Sequence, residues 1–212
     1  MACILGRKIA MTQTYGPDGK QIPVTVIEAG PCKVIGQRTK DKDGYVASIL
    51  GFEEVEGAKL KSKALLGLFK KASSACFKVL HEFRDIEMAA GADATVAQFK
   101  EGDTLIVGGF SKGKGMTSVI KKWNFRTGRE SHGGNCQRKM GSAGMHTWPA
   151  HVIKGKKMAG RWGNDKITLR TVEVVKIVAE SNILMVKGPL PGGPLGLVSI
   201  QTAPVKGKKK AA

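Results

Sequence analysis

Residues 166–188 read KITLRTVEVVKIVAESNILMVKG. Two runs rich in Val, Ile and Leu, KITLRTVEVVKIVA (166–179) and NILMVKG (182–188), are separated only by Glu180-Ser181. β-Branched runs around so short a break predict a tight hairpin. Similar runs lie upstream, at PVTVIEA (23–29), YVASILGF (45–52), FKVLHEF (77–83) and TLIVGG (104–109), and downstream at LGLVSIQT (195–202). Pro-Gly-rich turns such as GPLPGGPLG (188–196) punctuate them. Only GAKLKSKALLGLFKKAS (57–73) places apolar residues (Leu60, Leu65, Leu66, Phe69) near helical spacing. Many short strands and little helix predict a mainly β fold, closed into a barrel or packed as a sandwich.

The charge is unevenly spread. The 212 residues carry 35 Lys+Arg against 17 Asp+Glu, a net of +18, which implies a polyanionic partner. Residues 111–165 hold 12 of the basic groups and only two acids, Glu130 and Asp165. They also hold ten glycines and all three tryptophans (Trp123, Trp148, Trp162), with few apolar residues to build a core. A segment so composed buries too little surface to offset its ordering entropy alone, and suits ordering against a nucleic acid. The expected organisation is a globular β-rich body (1–110 and 166–203), a basic arm inserted at 111–165, and a basic tail at 204–212 with four lysines. The arm is expected to be unordered away from its partner. No apolar run approaches the roughly 18 residues of a membrane span, and the opening MACILGRKIAMTQ lacks a secretory core.

One stretch of the arm invites an enzymatic reading. GGFSKGKG (108–115) follows an apolar strand and sets Gly108, Gly113 and Lys114 at P-loop spacing. Position 115 is Gly, where a P-loop needs a Ser or Thr for magnesium. The continuation Met116-Thr117-Ser118-Val119-Ile120 is β-branched and helix-poor, whereas a P-loop opens a helix. A nucleotide hydrolase is therefore the weaker alternative. Lysines spaced by glycine, here and again in KGKKMAG (154–160), suit close approach to phosphates. The two clusters read as the two strands of an extended arm.

Cys3, Cys32, Cys76 and Cys136 form no C-x-x-C pair and read as reduced, mostly buried thiols. His132, Cys136, His146 and His151 match no common zinc spacing, so no metal is expected. The same histidines lack an orienting carboxylate and a nucleophile, so hydrogen bonding to RNA is expected in place of acid–base catalysis. No cofactor and no small-molecule substrate are expected.

SKGKGMTSVIKKWNFRTGRESHG (111–133) and GSAGMHTWPAHVIKGKKMAGRWGND (141–165) resemble bacterial-type large-subunit ribosomal protein three. LGRKIAMTQTYGPDGKQIPVTVIEAGP (5–31) is similar to that family's opening and VVKIVAESNILMVKGPLPG (174–192) to its close, so the likeness spans nearly the whole chain. The resemblance implies a translation-factor-like β-barrel bearing a long basic extension. It implies a structural, non-catalytic role in the large ribosomal subunit, with the body on the 3′ domain of large-subunit rRNA and entry early in assembly. Neighbouring large-subunit proteins would be further partners. The location implied is the cytoplasm, bound to ribosomes, with an organellar ribosome left open. A free translation factor sharing the barrel is the other alternative.

On this resemblance, Met145, His146, Thr147, Trp148 and Pro149 form the arm tip near the peptidyl transferase centre. Three positions depart from the family pattern. Thr147 replaces a glutamine that is methylated in some members, Ala150-His151 replaces a glycine and a basic residue, and Ala10 replaces a glycine. The expected RNA contacts are Lys112, Lys114, Lys121, Lys122, Trp123, Asn124, Arg126, Arg129, His132, Arg138, Lys139, His146, Thr147, Trp148, His151, Lys154, Lys156, Lys157 and Arg161. Lysines would act as point charges, arginines as bidentate phosphate or base-edge partners, and tryptophans as stacking platforms.

Overall fold

A computed structural model describes residues 2–60 and 62–204. The chain divides into two units, residues 1–110 with 166–212 and residues 111–165. The lysines of the tail, beyond Pro204, lie outside the described residues.

In chain order the first unit contains β1 (Cys3–Tyr15), β2 (Gln21–Ala29), β3 (Cys32–Arg38), a short α1 (Lys40–Asp43), β4 (Ala47–Glu54) and α2 (Lys63–Lys71). β5 (Phe77–Arg84), β6 (Asp93–Ala94) and β7 (Thr104–Phe110) follow. The second unit holds β8 (Met116–Thr117), α3 (Val119–Trp123) and β9 (Gly160–Arg161). The chain then re-enters the first unit as β10 (Lys166–Val178), β11 (Ile183–Lys187) and β12 (Leu197–Thr202).

Six strands close into an antiparallel barrel in the order β1-β12-β7-β10-β11-β2. Residues 166–188 supply its neighbouring strands β10 and β11. One half of β10 runs beside β7, from Lys166↔Phe110 to Glu173↔Thr104. Its other half runs beside β11, from Val174↔Val186 to Val178↔Ile183. The turn between them is tight, with the Asn182 amide donating to the Ala179 carbonyl at 3.2 Å. Closure removes the sheet edges that would otherwise pair with other chains.

A second sheet, β5-β4-β3-β6, was not apparent from the sequence as a separate layer. It shares one core with the barrel. Leu105, Val107, Leu184, Val186, Val198 and Ile200 fill the barrel side, and Val34, Leu50, Phe52 and Phe83 the sheet side. Cys3, Ile4 and Leu5 are consecutive and all fully buried, because this end of β1 is covered on both faces. α2 packs on the far part of the sheet through Phe69, which meets Ile35 and Phe77 in a smaller core.

All four cysteines are unpaired; Cys3 and Cys32 are buried, Cys76 half-buried and Cys136 exposed. Burial pushes the Cys3 thiol up to about 12 and the Cys32 thiol up to about 11, which keeps both protonated and unreactive. Among the described residues no helix is long and apolar enough to cross a membrane.

Candidate nucleic-acid interface

The second unit replaces what would be a hairpin loop. Its ends follow Phe110 and precede Lys166, which are paired across β7 and β10. Inside the unit the two chain ends run antiparallel. The Ser111 amide donates to the Asp165 carbonyl (2.9 Å), the Lys114 amide to Trp162 (2.8 Å) and the Trp162 amide to Gly115 (3.0 Å). β8 and β9 continue the ladder with Met116↔Arg161 and Thr117↔Gly160. The first lysine-glycine cluster thus faces residues 161–165, whereas KGKKMAG (154–160) reaches the ladder only at Gly160, opposite Thr117, so the two clusters do not form facing strands as the sequence suggested. The close approach needs Gly163, whose φ is +78° and whose missing Cβ would lie 2.1 Å from the Lys112 carbonyl oxygen.

Beyond the ladder the sequence expectation needs correcting. Residues 116–120 read as helix-poor, yet α3 spans Val119–Trp123 after an extended Ser118. Val119 is one of two buried residues in this unit, with Thr117, and its packing overrides weak helix propensity. Asn124 ends the helix in the left-handed region at φ 56°.

The tryptophans divide into two kinds. Trp162 lies under the Lys114 ammonium, 3.4 Å from ring centroid to Nζ. Trp123 donates its indole N–H to the Met158 carbonyl at 2.9 Å, and Lys122 and Lys157 lie 5.5 and 5.6 Å from its ring centroid. Both brace the segment itself. Trp148 is 87% exposed, and none of the ring contacts involves it.

Of the nineteen candidate contact residues, every one but Lys122 is exposed. Lys122 is half-buried because its ammonium donates to the Arg161 carbonyl at 2.9 Å. Arg126, Arg129, His132, Arg138 and Lys139 surround a loop closed by the Gly128 amide donating to the Gln137 carbonyl (2.9 Å). Lys112, Lys121, Lys154, Lys156 and Arg161 are exposed along the two limbs. At residues 145–151, Thr147 and His146 share a side-chain hydrogen bond (2.7 Å) and His151 Nδ1–H donates to the Pro149 carbonyl (2.7 Å). His146 thus meets a neighbouring side chain and His151 a nearby backbone carbonyl. Among the described residues no three His, Cys, Asp or Glu side chains gather as a metal site.

The P-loop spacing has a structural explanation. Gly108 is inside β7, where a Cβ would meet Ser199 Oγ at 2.7 Å across the barrel wall. It belongs to a strand, and the loop a nucleotide would need begins too late to use it. Sequence reasoning missed the mutual engagement of Lys114 with Trp162 and of Trp123 with two lysines. Position 114 comes opposite 162 because residues 111–117 pair antiparallel with 160–165, a register that neither cluster shows by itself.

Residues 55–183 match the family model described as Ribosomal protein L3. The large ribosomal subunit protein uL3 of Fervidobacterium nodosum is 46% identical over 206 residues, covering 96% of this chain and 99% of that protein. The chain belongs to the ribosomal protein L3 family. The uL3 proteins of Thermosipho africanus (47% over 206 residues) and Petrotoga mobilis (45% over 214 residues) are similar over 96% and 99% of this chain. The L3 family is one of structural proteins, not of enzymes. The matched region of the L3 model includes all of residues 111–165, so the basic insertion is part of what defines the family likeness.

Proposed function

We propose that this chain is a structural protein of the large ribosomal subunit, held to large-subunit rRNA by residues 111–165. The observation that carries this reading is the exposure of nearly every basic group of a +10 segment that buries only two of its side chains. Apart from Lys114, Lys122 and Lys157, which meet tryptophan rings or a carbonyl within the arm, these charges lie open to solvent and fit a phosphate-lined channel. Exposed Trp148 is the stacking group, offered to an unpaired base at about 1–3 kcal/mol. Trp123 and Trp162 hold the arm in shape. Residues 145–149 are the tip directed toward the peptidyl transferase centre, and the body rests on the 3′ domain beside neighbouring large-subunit proteins. Joining early in assembly follows from threading an arm into RNA that must close around it. The protein is then cytoplasmic and ribosome-bound.

If 6–10 basic groups meet phosphates, affinity falls by about 10³–10⁵ between 50 and 200 mM salt, by analogy with duplex DNA. Within an assembled subunit, enclosure of the arm should resist that loss. Sedimentation of lysates through a salt-wash gradient tests this. Retention with the large subunit is expected; a soluble, exchanging pool would favour a free translation factor. Magnesium-dependent binding of a nucleotide analogue would instead reopen the hydrolase reading.

A further inference from the structure

The body carries a second concentration of charge. Residues 57–78 contain six lysines (59, 61, 63, 70, 71 and 78) and no acidic residue. Two are neutralised locally, Lys59 by Glu56 at 3.2 Å and Lys78 by Glu53 at 3.5 Å. Lys63, Lys70 and Lys71 belong to α2, are exposed, and enter no ion pair among the described residues.

Their placement on the helix is specific. At 3.6 residues per turn, Lys63, Lys70 and Lys71 fall within about 60° of Gly67 around the helix axis. Phe69 points the other way and is buried at 1% exposure, its ring 6.2 Å from that of Phe77. So one face anchors the helix, and the opposite face presents three ammonium groups around a glycine. A Cβ built on Gly67 meets nothing within 4 Å. Packing does not require the glycine, and a mid-helix glycine is destabilising relative to alanine. Lys63 also lies in the first turn, where no acidic residue accompanies it and its charge opposes the helix macrodipole. Neither residue serves the helix.

We propose that this face of α2 is a second contact surface for RNA, in which Lys63, Lys70 and Lys71 bracket a phosphate backbone that approaches the bare helix at Gly67. The inference rests on the ribosomal reading above and adds to it an anchor on the body, separate in sequence from the arm. A membrane surface would take the same charges but needs an apolar fringe, and here Leu68 is the sole large apolar side chain of the helix that is exposed.

The test is equilibrium binding of the full chain to full-length large-subunit rRNA across a salt series. Three proteins are compared: the unmodified chain, the triple variant Lys63→Gln/Lys70→Gln/Lys71→Gln, and the charge-matched control Lys20→Gln/Lys42→Gln/Lys100→Gln, whose lysines are also exposed. The α2 triple should flatten the slope of log affinity against log salt by about 2, at about 0.7–0.9 per phosphate contact. The control should leave it unchanged. Equal flattening by both triples, or by neither, overturns the proposal, and so does preferential binding to phosphatidylserine vesicles that the α2 triple abolishes. Gly67→Gln adds bulk without charge and should weaken binding several-fold with the slope retained; unchanged affinity overturns the close approach. Absence of salt-dependent binding by the unmodified chain would instead sink the ribosomal reading itself.

Discussion

The ammonium of Lys114 lies 3.4 Å from the centroid of the Trp162 ring. The same two residues are joined through the backbone, the Lys114 amide donating to the Trp162 carbonyl at 2.8 Å. A lysine that would otherwise be one more phosphate ligand thus fixes the register of the arm's base. Cation–π contacts at such sites contribute about 0.5–1 kcal/mol. Trp162→Leu should therefore speed hydrogen exchange at the Lys114 and Trp162 amides several-fold, as should Lys114→Gln, while Lys114→Arg preserves protection. Equal protection in all three variants would show that the ring contact does not hold the ladder.

Gly163 offers a sharper probe of the same base. A Cβ there would lie 2.1 Å from the Lys112 carbonyl oxygen, and φ of +78° is unfavourable for any L side chain. Gly163→Ala should cost the local ladder about 2 kcal/mol or more. The expected pattern is exposure of residues 111–117 and 160–165 to protease, with the body's unfolding midpoint unchanged. An intact, protease-resistant ladder in the alanine variant would refute the close-packed geometry.

In the barrel, Leu184 is fully buried among the strands of the shared core. Leu184→Ala should destabilise the body by about 2–5 kcal/mol through lost burial and a residual cavity. Ile167, on the half-exposed end of β10, should lose under about 1 kcal/mol on the same truncation. Urea unfolding of the two variants would distinguish them, and comparable losses would argue against this core.

The Arg7 guanidinium donates to the Glu53 carboxylate, and Lys78 lies 3.5 Å from its other oxygen. The Arg7 hydrogen bond holds the Glu53 carboxyl below its ordinary value. Its contribution is therefore complete above the ordinary carboxylate range and is lost as pH falls through the depressed folded value. Glu53→Gln should cost about 1 kcal/mol or less at pH 7, as the pair is partly solvated, and nothing in strong acid. A difference that grew on acidification would contradict the assignment.

Much of this architecture could be read from particular residues. The hairpin at 179–182 and the strands at 104–110 and 197–202 were legible because apolar and β-branched residues run unbroken between turn residues. β1 was harder. Cys3–Gly6 is buried on both faces and Ile9, Met11 and Tyr15 are exposed, so the strand shows neither alternation nor a uniform apolar run. In the second sheet β4 and β5 were legible as apolar runs, but β3 (CKVIGQR) was not, because its apolar residues are few and interrupted by Gly36 and two basic residues. α3 was missed because one buried side chain, Val119, decides it against propensity. In the candidate interface the charge was visible in composition, whereas the partners of Lys114, Lys122 and Trp123 depend on which strand faces which.

The central claim is that the exposed basic arm lies in large-subunit rRNA. UV crosslinking in the native cell, with sequencing of the attached RNA and mapping of the attached peptides, tests it most directly. The account predicts crosslinks to large-subunit rRNA, with peptides containing Trp148 joined to nucleotides beside the peptidyl transferase centre. Crosslinks scattered over messenger or transfer RNA, or none from residues 111–165, would contradict it.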